Sequence, residues 1–324
     1  MAENLKTKCD SPPPSPQWGE GISLRWIGGW RRILGALALL VALAFMGRMV
    51  YLNWEEVQRY RWQFDYPWLV LSILTSLGTT AFFIWQWHFT LQRLGAELPY
   101  RKAFRIWFIA NLGRYLPGKV WQFAGWFYLC GQEGISKTQT LTSILLNQAL
   151  QNLTGLILAW VVFLFSPQTG LSSKFWPLLG LVPLGAVAIH PRVMEWGLNR
   201  ALALLGREPV SIPLRPVDLA RFAFNFFIFW LAVGMAFYFF VRSLHPLSLS
   251  LWPEVAGAYA GAYVIGFLSL LTPGGLGVRE GALAYLLSFY LPSHIALIAA
   301  LLSRVWIVAS EILGIALALE IGRR

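Results

Sequence analysis

A Pro-Gly pair flanked by two cations interrupts an otherwise apolar and aromatic run between Ala103 and Cys130. The stretch Asn111–Gln122 reads NLGRYLPGKVWQ, with Arg114 and Lys119 on either side of Leu116-Pro117-Gly118. Proline removes a backbone donor and glycine loosens the residue after it, and lipid offers no replacement partner. Broken backbone at membrane depth is tolerated where protein or a wet cavity surrounds it. The segment therefore reads as a re-entrant or discontinuous helix lining a polar site. A second break lies far along the chain. Leu271–Gly281, LTPGGLGVREG, is again a Pro-Gly corner in an apolar run, followed by Arg279 and Glu280. Paired interruptions in corresponding halves of a chain are a pointer to a transporter-type site.

That argument presumes a bilayer, and the composition supplies one. Hydrophobic residues make up 57% of the 324 and charged residues only 13%, with 17 Trp. Several uninterrupted apolar runs reach the ~20 residues that cross a hydrocarbon core. The class is an all-α polytopic membrane protein. In this setting the net charge of +11 speaks for Lys/Arg-rich cytoplasmic loops against anionic headgroups, not for nucleic acid. Cys9 and Cys130 are the only cysteines and show no CxxC spacing, so neither a disulfide framework nor a metal site is expected. No P-loop lysine pattern is present. Gly275-x-Gly277-x-x-x-Gly281 lacks the βαβ setting of a dinucleotide fingerprint, and no cofactor is expected.

In order along the chain, residues 1–32 read as a disordered basic cytoplasmic tail, with Ser-Pro-Pro-Pro-Ser-Pro at its centre. Residues 33–165 form a first membrane half and 166–324 a second. Six spans are predicted: Ile33–Tyr51, Pro67–His88, Leu141–Phe165, Phe175–His190, Val217–Val241 and His294–Ile321. A polar connection, Asn53–Tyr66, and a basic linker with Arg93, Arg101, Lys102 and Arg105 separate the early elements. Pro191–Pro216 is the longest basic connection. If both broken segments enter and leave on one side, only Arg48, Arg59, Arg61, Lys174 and Arg242 fall outside. Both termini are then cytoplasmic under the positive-inside rule. Each half reads as span, span, broken hairpin, span. Three crossings per half invert the second relative to the first, which predicts about six full helices plus two Pro-Gly hairpins in an inverted repeat.

Ionisable groups inside a membrane are functional candidates, since each costs at least ~2.5 kcal/mol at the bilayer centre by insertion scales. Here they are Arg114, Lys119, Arg279, Glu280, Arg304 and Glu311. The cationic surplus points to an anionic ligand such as a phosphate or phosphodiester. Arg114, Lys119 and Arg279 are the expected headgroup contacts, with Tyr115, Gln122, Gly118, Gly275 and Gly277 beside them. The glycines let backbone approach the ligand, and the restarting helices offer amide groups. Glu280, Arg304 and Glu311 are the expected gating network. The plainer alternative is internal pairing of Arg279 or Arg304 with Glu280 or Glu311. Arg304 and Glu311 lie on one face of the last helix, two turns apart, so each needs a partner elsewhere. Asn147, Gln148, Gln151 and Asn152 form a polar band on the third span, either helix glue or pathway lining. Asp218, Arg221 and Asn225 read as an interfacial cap and pair. His88, His190, His245 and His294 fall near span ends without metal spacing, and no catalytic constellation emerges.

Gly113-Arg114-Tyr115-Leu116-Pro117-Gly118-Lys119-Val120-Trp121 and Thr272-Pro273-Gly274-Gly275-Leu276-Gly277-Val278-Arg279-Glu280-Gly281 resemble the lysylphosphatidylglycerol synthase transmembrane-region family, also called flippase-like domain proteins. The resemblance covers roughly residues 30 to 321. It implies a helical domain that moves a modified lipid between leaflets, and other relatives are associated with lipid-linked sugar pathways. The sequence carries no soluble synthase domain, so it is not expected to make an aminoacyl lipid itself. The resulting expectation is a flippase-like transporter in the cell membrane, not an enzyme, with an anionic lipid or lipid-linked sugar as cargo. Two rivals stand beside it. One is a membrane glycosyl- or aminoacyl-lipid transferase using Glu55, Glu56 or Asp65. The other is a non-transporting partner of a glycosyltransferase or lipid synthase.

Overall fold

A computed structural model describes residues 51, 54–59, 64–113, 120–166, 187, 190–204, 214–269 and 277–321. The predicted tail, nearly all of the predicted first span and most of the predicted fourth lie outside these residues. The described chain is helical: α1 (Trp54–Arg59), α2 (Tyr66–Arg93), α3 (Tyr100–Leu112), α4 (Val120–Gln132), α5 (Lys137–Phe165), α6 (Pro191–Leu204), α7 (Pro216–Leu244), α8 (Trp252–Leu268), α9 (Val278–Leu287) and α10 (Ser293–Ile321). Four of these, α2, α5, α7 and α10, are long and apolar enough to cross a membrane. At ~1.5 Å per residue each is about 40 Å long, more than the hydrocarbon core requires.

Local chemistry sets the ends. Pro67 and Pro216 occupy the first turns of α2 and α7, where the missing donor has no helical partner to lose. Gly95, at φ 80°, turns the chain after α2. Ser136 caps α5 by accepting from Gln139 N at 3.1 Å, while Gln139 Oε1 accepts from Ser136 N, a complete capping box. Three predicted connections are in part helical, the first being Asn53–Tyr66, which holds α1. Arg101, Lys102 and Arg105 lie within α3, and α6 occupies most of the basic stretch after Pro191. The second span also runs past His88 to Arg93, because Thr90 and Leu91 are buried there and continue the packed face.

Antiparallel pairing of α2 and α7 forms the spine. Asp65 N donates to Ser243 O at 2.9 Å at one end, Asn225 Nδ2 to Gln86 Oε1 at 2.7 Å in the middle, and Arg93 meets Asp218 at 3.5 Å at the other. Small residues bring further helices close, as expected where lipid supplies no hydrophobic drive between them. Gly257 and Gly261 on α8 face Val162 and Ala159 on α5, and Gly234 on α7 faces Ala256 on α8. Trp230 lies over Gly155 and donates its indole N–H to Gln151 O at 2.9 Å.

Both broken segments are antiparallel helical hairpins on either side of their undescribed corners. In the first, α3 and α4 touch where a Cβ on Gly125 would sit 3.3 Å from Ala110 Cα, and Gln122 Nε2 donates to Asn111 Oδ1. In the second, Gly261 meets Leu286 and Gly266 meets Arg279. Their open ends lie at opposite faces of the bundle. Lys102 and Glu133, 2.6 Å apart, tie the base of the first hairpin near Leu94, whose carbonyl accepts from Gln139. This is the face where Arg93 meets Asp218. The base of the second hairpin sits at the other face, where Tyr290 O–H bonds Ser166 Oγ at 2.9 Å and Tyr238 bonds Leu247 O. Helix α10 supports both: Phe108 of α3 packs against Gly314, and Glu280 of α9 pairs with Arg304.

Candidate functional site

The described half of the site starts at Gly277. Its φ of 80° is a backbone geometry that side chains resist, and glycine takes it without strain. This turn starts α9, and Glu280, three residues on, reaches back so that Oε2 accepts from Gly277 N at 2.7 Å. A carboxylate at a helix N-terminus satisfies an orphan donor and complements the dipole. The same carboxylate faces α10, where Oε1 accepts from Arg304 Nε at 2.6 Å and lies 3.8 Å from Arg279 Nη1.

Two guanidinium groups thus share one carboxylate, and the three groups sum to a charge of +1. The carboxylate is 4% exposed and Arg279 only 5% exposed as residues, while the Arg304 side chain is 33% exposed. Arg279 is held by shape as well as by charge. Its guanidinium carbon stands 5.1 Å from the centre of the Tyr259 ring, within cation–π range. Its Cβ lies where a side chain on Gly266 would collide, 2.7 Å from the position of a Cβ there. Yet Arg279 Nε and Nη2 are buried and have no hydrogen-bond partner among the described residues. Buried guanidinium donors are ordinarily satisfied, and an unsatisfied pair calls for an explanation.

Of the other predicted residues, Arg114, Tyr115, Gly118, Lys119 and Gly275 lie outside the described residues, as do both Pro-Gly corners. Gln122 is described and bonds Asn111, bracing its own hairpin. Glu311 is half-buried on α10, two turns beyond Arg304. The amide band on α5 divides. Asn147 accepts from Thr90 at 3.5 Å, and Gln148 donates to Tyr263 at 3.4 Å, so both link helices. Asn152 donates to Gln148 O but leaves a buried carbonyl oxygen without a partner among the described residues. Asp218 does cap its helix, accepting from Arg215 N at 3.1 Å, but it pairs with Arg93 on α2 and not with Arg221. Asn225 is buried against Gln86 and takes no part in an interfacial cap.

Sequence reasoning missed Tyr259 and Gly266. The small-residue run Gly257-Ala258-Tyr259-Ala260-Gly261 signals close helix packing, but nothing local says that its tyrosine underlies an arginine of the next helix. It also missed the approach of His245, just past α7, to His294 in the first turn of α10. Burial, then the neighbouring His294, hold the His245 imidazole below its ordinary pKa. Among the described residues no three His, Cys, Asp or Glu side chains gather as a metal site would need.

No curated protein and no solved structure matches the chain. A family model described as "Lysylphosphatidylglycerol synthase TM region" matches residues 32–310, which take in Tyr259, Gly266, Gly277, Arg279, Glu280 and Arg304. With that span matched and apolar helices of crossing length throughout, the chain is a multi-pass membrane protein and belongs to the lysylphosphatidylglycerol synthase transmembrane-region family.

Proposed function

We propose that this protein is a lipid translocator of the cell membrane, not an enzyme, carrying a lipid with an anionic headgroup between leaflets. The observation that carries the reading is Arg279: a buried guanidinium with two donors unpartnered among the described residues, beside a helix break inside an apolar bundle. A buried cation that shares its one carboxylate with a second guanidinium is only partly compensated, and a transient anion is the simplest completion. Several features support the wider scheme. Two hairpins with bases at opposite faces suit an inverted repeat of re-entrant segments, in which alternate rocking exposes a central site to either side. Arg93, Arg101, Lys102, Lys137 and Arg215 gather at the base of the first hairpin, which favours that face as cytoplasmic and both termini with it. In this scheme Arg114 and Lys119 on the first corner complete the headgroup site, and Glu280, Arg304 and Glu311 exchange partners as it opens.

Leaflet exchange of fluorescent anionic lipids in vesicles carrying the purified protein tests the reading. Arg279→Ala and Arg114→Ala are each expected to slow exchange by about tenfold or more, the loss of roughly one charge-assisted contact. Exchange at the wild-type rate in both variants overturns it.

A further inference from the structure

The proposed function makes no use of α6, a helix that cannot hold itself. It begins at Pro191, just past His190, whose Nδ1 accepts from Arg192 N at 3.4 Å. Its 14 residues carry Gly197 near the middle. An isolated helix of that length is marginal in water, and an interior glycine weakens it further. No other described helix packs extensively against it. Some other surface must stabilise it.

The side that α6 shows is not simply its polar side. Arg192, Trp196 and Arg200 recur every fourth residue and form one ridge, with Val193 and Gly197 along one flank. All five are exposed, Trp196 by 68% and Val193 by 37%. Glu195 and Asn199 stand on the opposite flank and are half-buried. The one carboxylate of the helix is thus turned aside, while both cations, an indole and an aliphatic side chain face outward. That mixture suits the headgroup layer of a bilayer, where indole sits at the boundary of polar and apolar and guanidinium groups meet lipid phosphates. An acidic protein would satisfy the arginines as well, but the fold itself supplies the bilayer. Helix α6 lies in the chain between the predicted span Phe175–His190 and the crossing helix α7, so both its ends are tied to the membrane. The connection to α7 leads to the face where Arg93 meets Asp218 and Lys102 meets Glu133, the basic face of the bundle. Basic faces of membrane proteins lie against the leaflet rich in anionic lipid.

We infer that α6 is a peripheral docking helix whose Arg192–Trp196–Arg200 ridge lies in the headgroup layer and binds an anionic bilayer surface. The lipid here is a surface to lie on, not a cargo, and the inference stands apart from the translocator reading. Hydrogen–deuterium exchange of the purified full chain in nanodiscs tests it, read on peptides covering 191–204. Discs of phosphatidylcholine alone are compared with discs in which about a third of the lipid is phosphatidylglycerol, at low and at high salt. The anionic discs are expected to slow exchange of these peptides by about tenfold, the effect of two arginines at a charged surface, and high salt is expected to reverse the slowing. Arg192→Gln/Arg200→Gln is expected to abolish the difference between the discs, and Trp196→Ala to speed exchange in both. Peptides from the centre of α7 report the fold of each variant, and where a variant does not fold, the lipid comparison on wild type decides alone. Equally slow exchange in both discs, unchanged by the arginine substitutions, means that α6 packs on the protein itself and overturns the inference. Fast exchange in both discs leaves the ridge to a soluble partner and also overturns it. A protein that moves no lipid yet shows charge-dependent slowing refutes the translocator reading alone. Transport by a chain whose α6 exchanges alike in both discs refutes the docking inference alone.

Discussion

Neutralising Glu280 removes the one anion that two guanidinium groups share. In Glu280→Gln the side chain keeps its length and one carbonyl oxygen, but that oxygen cannot replace both carboxylate oxygens. Arg304 Nε at 2.6 Å and Gly277 N at 2.7 Å now compete for it, and the amide N–H₂ is turned toward a donor. Breaking a buried ion pair from one side costs about 3–5 kcal/mol, because a charge is left buried without compensation. Arg279 at 5% exposure bears that cost in full, whereas Arg304, with a third of its side chain exposed, recovers some by hydration. The expected destabilisation is therefore at the low end, about 3 kcal/mol, including ~0.5–1 kcal/mol for the weakened cap. Equilibrium unfolding in mixed micelles with increasing dodecyl sulfate, followed by tryptophan fluorescence, measures it. A double-mutant cycle with Arg304→Gln isolates the pair, and the double variant is expected to be less destabilised than the sum by about 1–2 kcal/mol. A Glu280→Gln protein within about 0.5 kcal/mol of wild type, with no coupling to Arg304→Gln, would refute the claim that this carboxylate holds the hairpin to α10.

Two further outcomes follow from contacts away from that carboxylate. Gly266→Ala is expected to cost about 1–3 kcal/mol in the same assay, because the new methyl would lie 2.7 Å from Arg279 Cβ and push α8 from α9. The control Gly131→Ala, with nothing within 4 Å, should not destabilise, and equal effects at both sites would discount the close approach. The other outcome concerns pH. Folding holds His245 below its ordinary value of 6.5, through burial and then His294. The unfolded chain therefore takes up a proton first as pH falls. The stability tied to the neutral imidazole is complete above about 6.5 and is lost as pH drops toward the depressed folded value. Melting of wild type between about pH 7.5 and 5 should fall more than that of His245→Asn, and parallel profiles would show that His245 carries none of the acid sensitivity.

The pairing geometry also explains why the two hairpins are not free-standing elements. Each is short, and each leans on α10, one through Phe108 at Gly314 and the other through Glu280 at Arg304. A helix that contacts both hairpins along its length couples them mechanically: displacing either changes the packing available to the other.

What the sequence determined by itself was local. Length and hydropathy specify α2, α5, α7 and α10, because a span must bond its own backbone and present apolar surface whatever its neighbours are. The Pro-Gly corners marked the helix interruptions for the same reason, since missing donors and loosened backbone act within a turn or two. The need of Arg304 for a partner off its own helix followed from spacing alone. Tertiary structure decided which partner it found. Glu280 serves Arg304 and Gly277 only because α9 is rotated and set down against α10, and no period in either segment encodes that rotation. The same holds for Tyr259 beneath Arg279 and for Gly266 against its Cβ, contacts between residues on different helices. Charge and apolarity are written residue by residue, but a buried cation becomes a site only through what packing leaves unbonded around it.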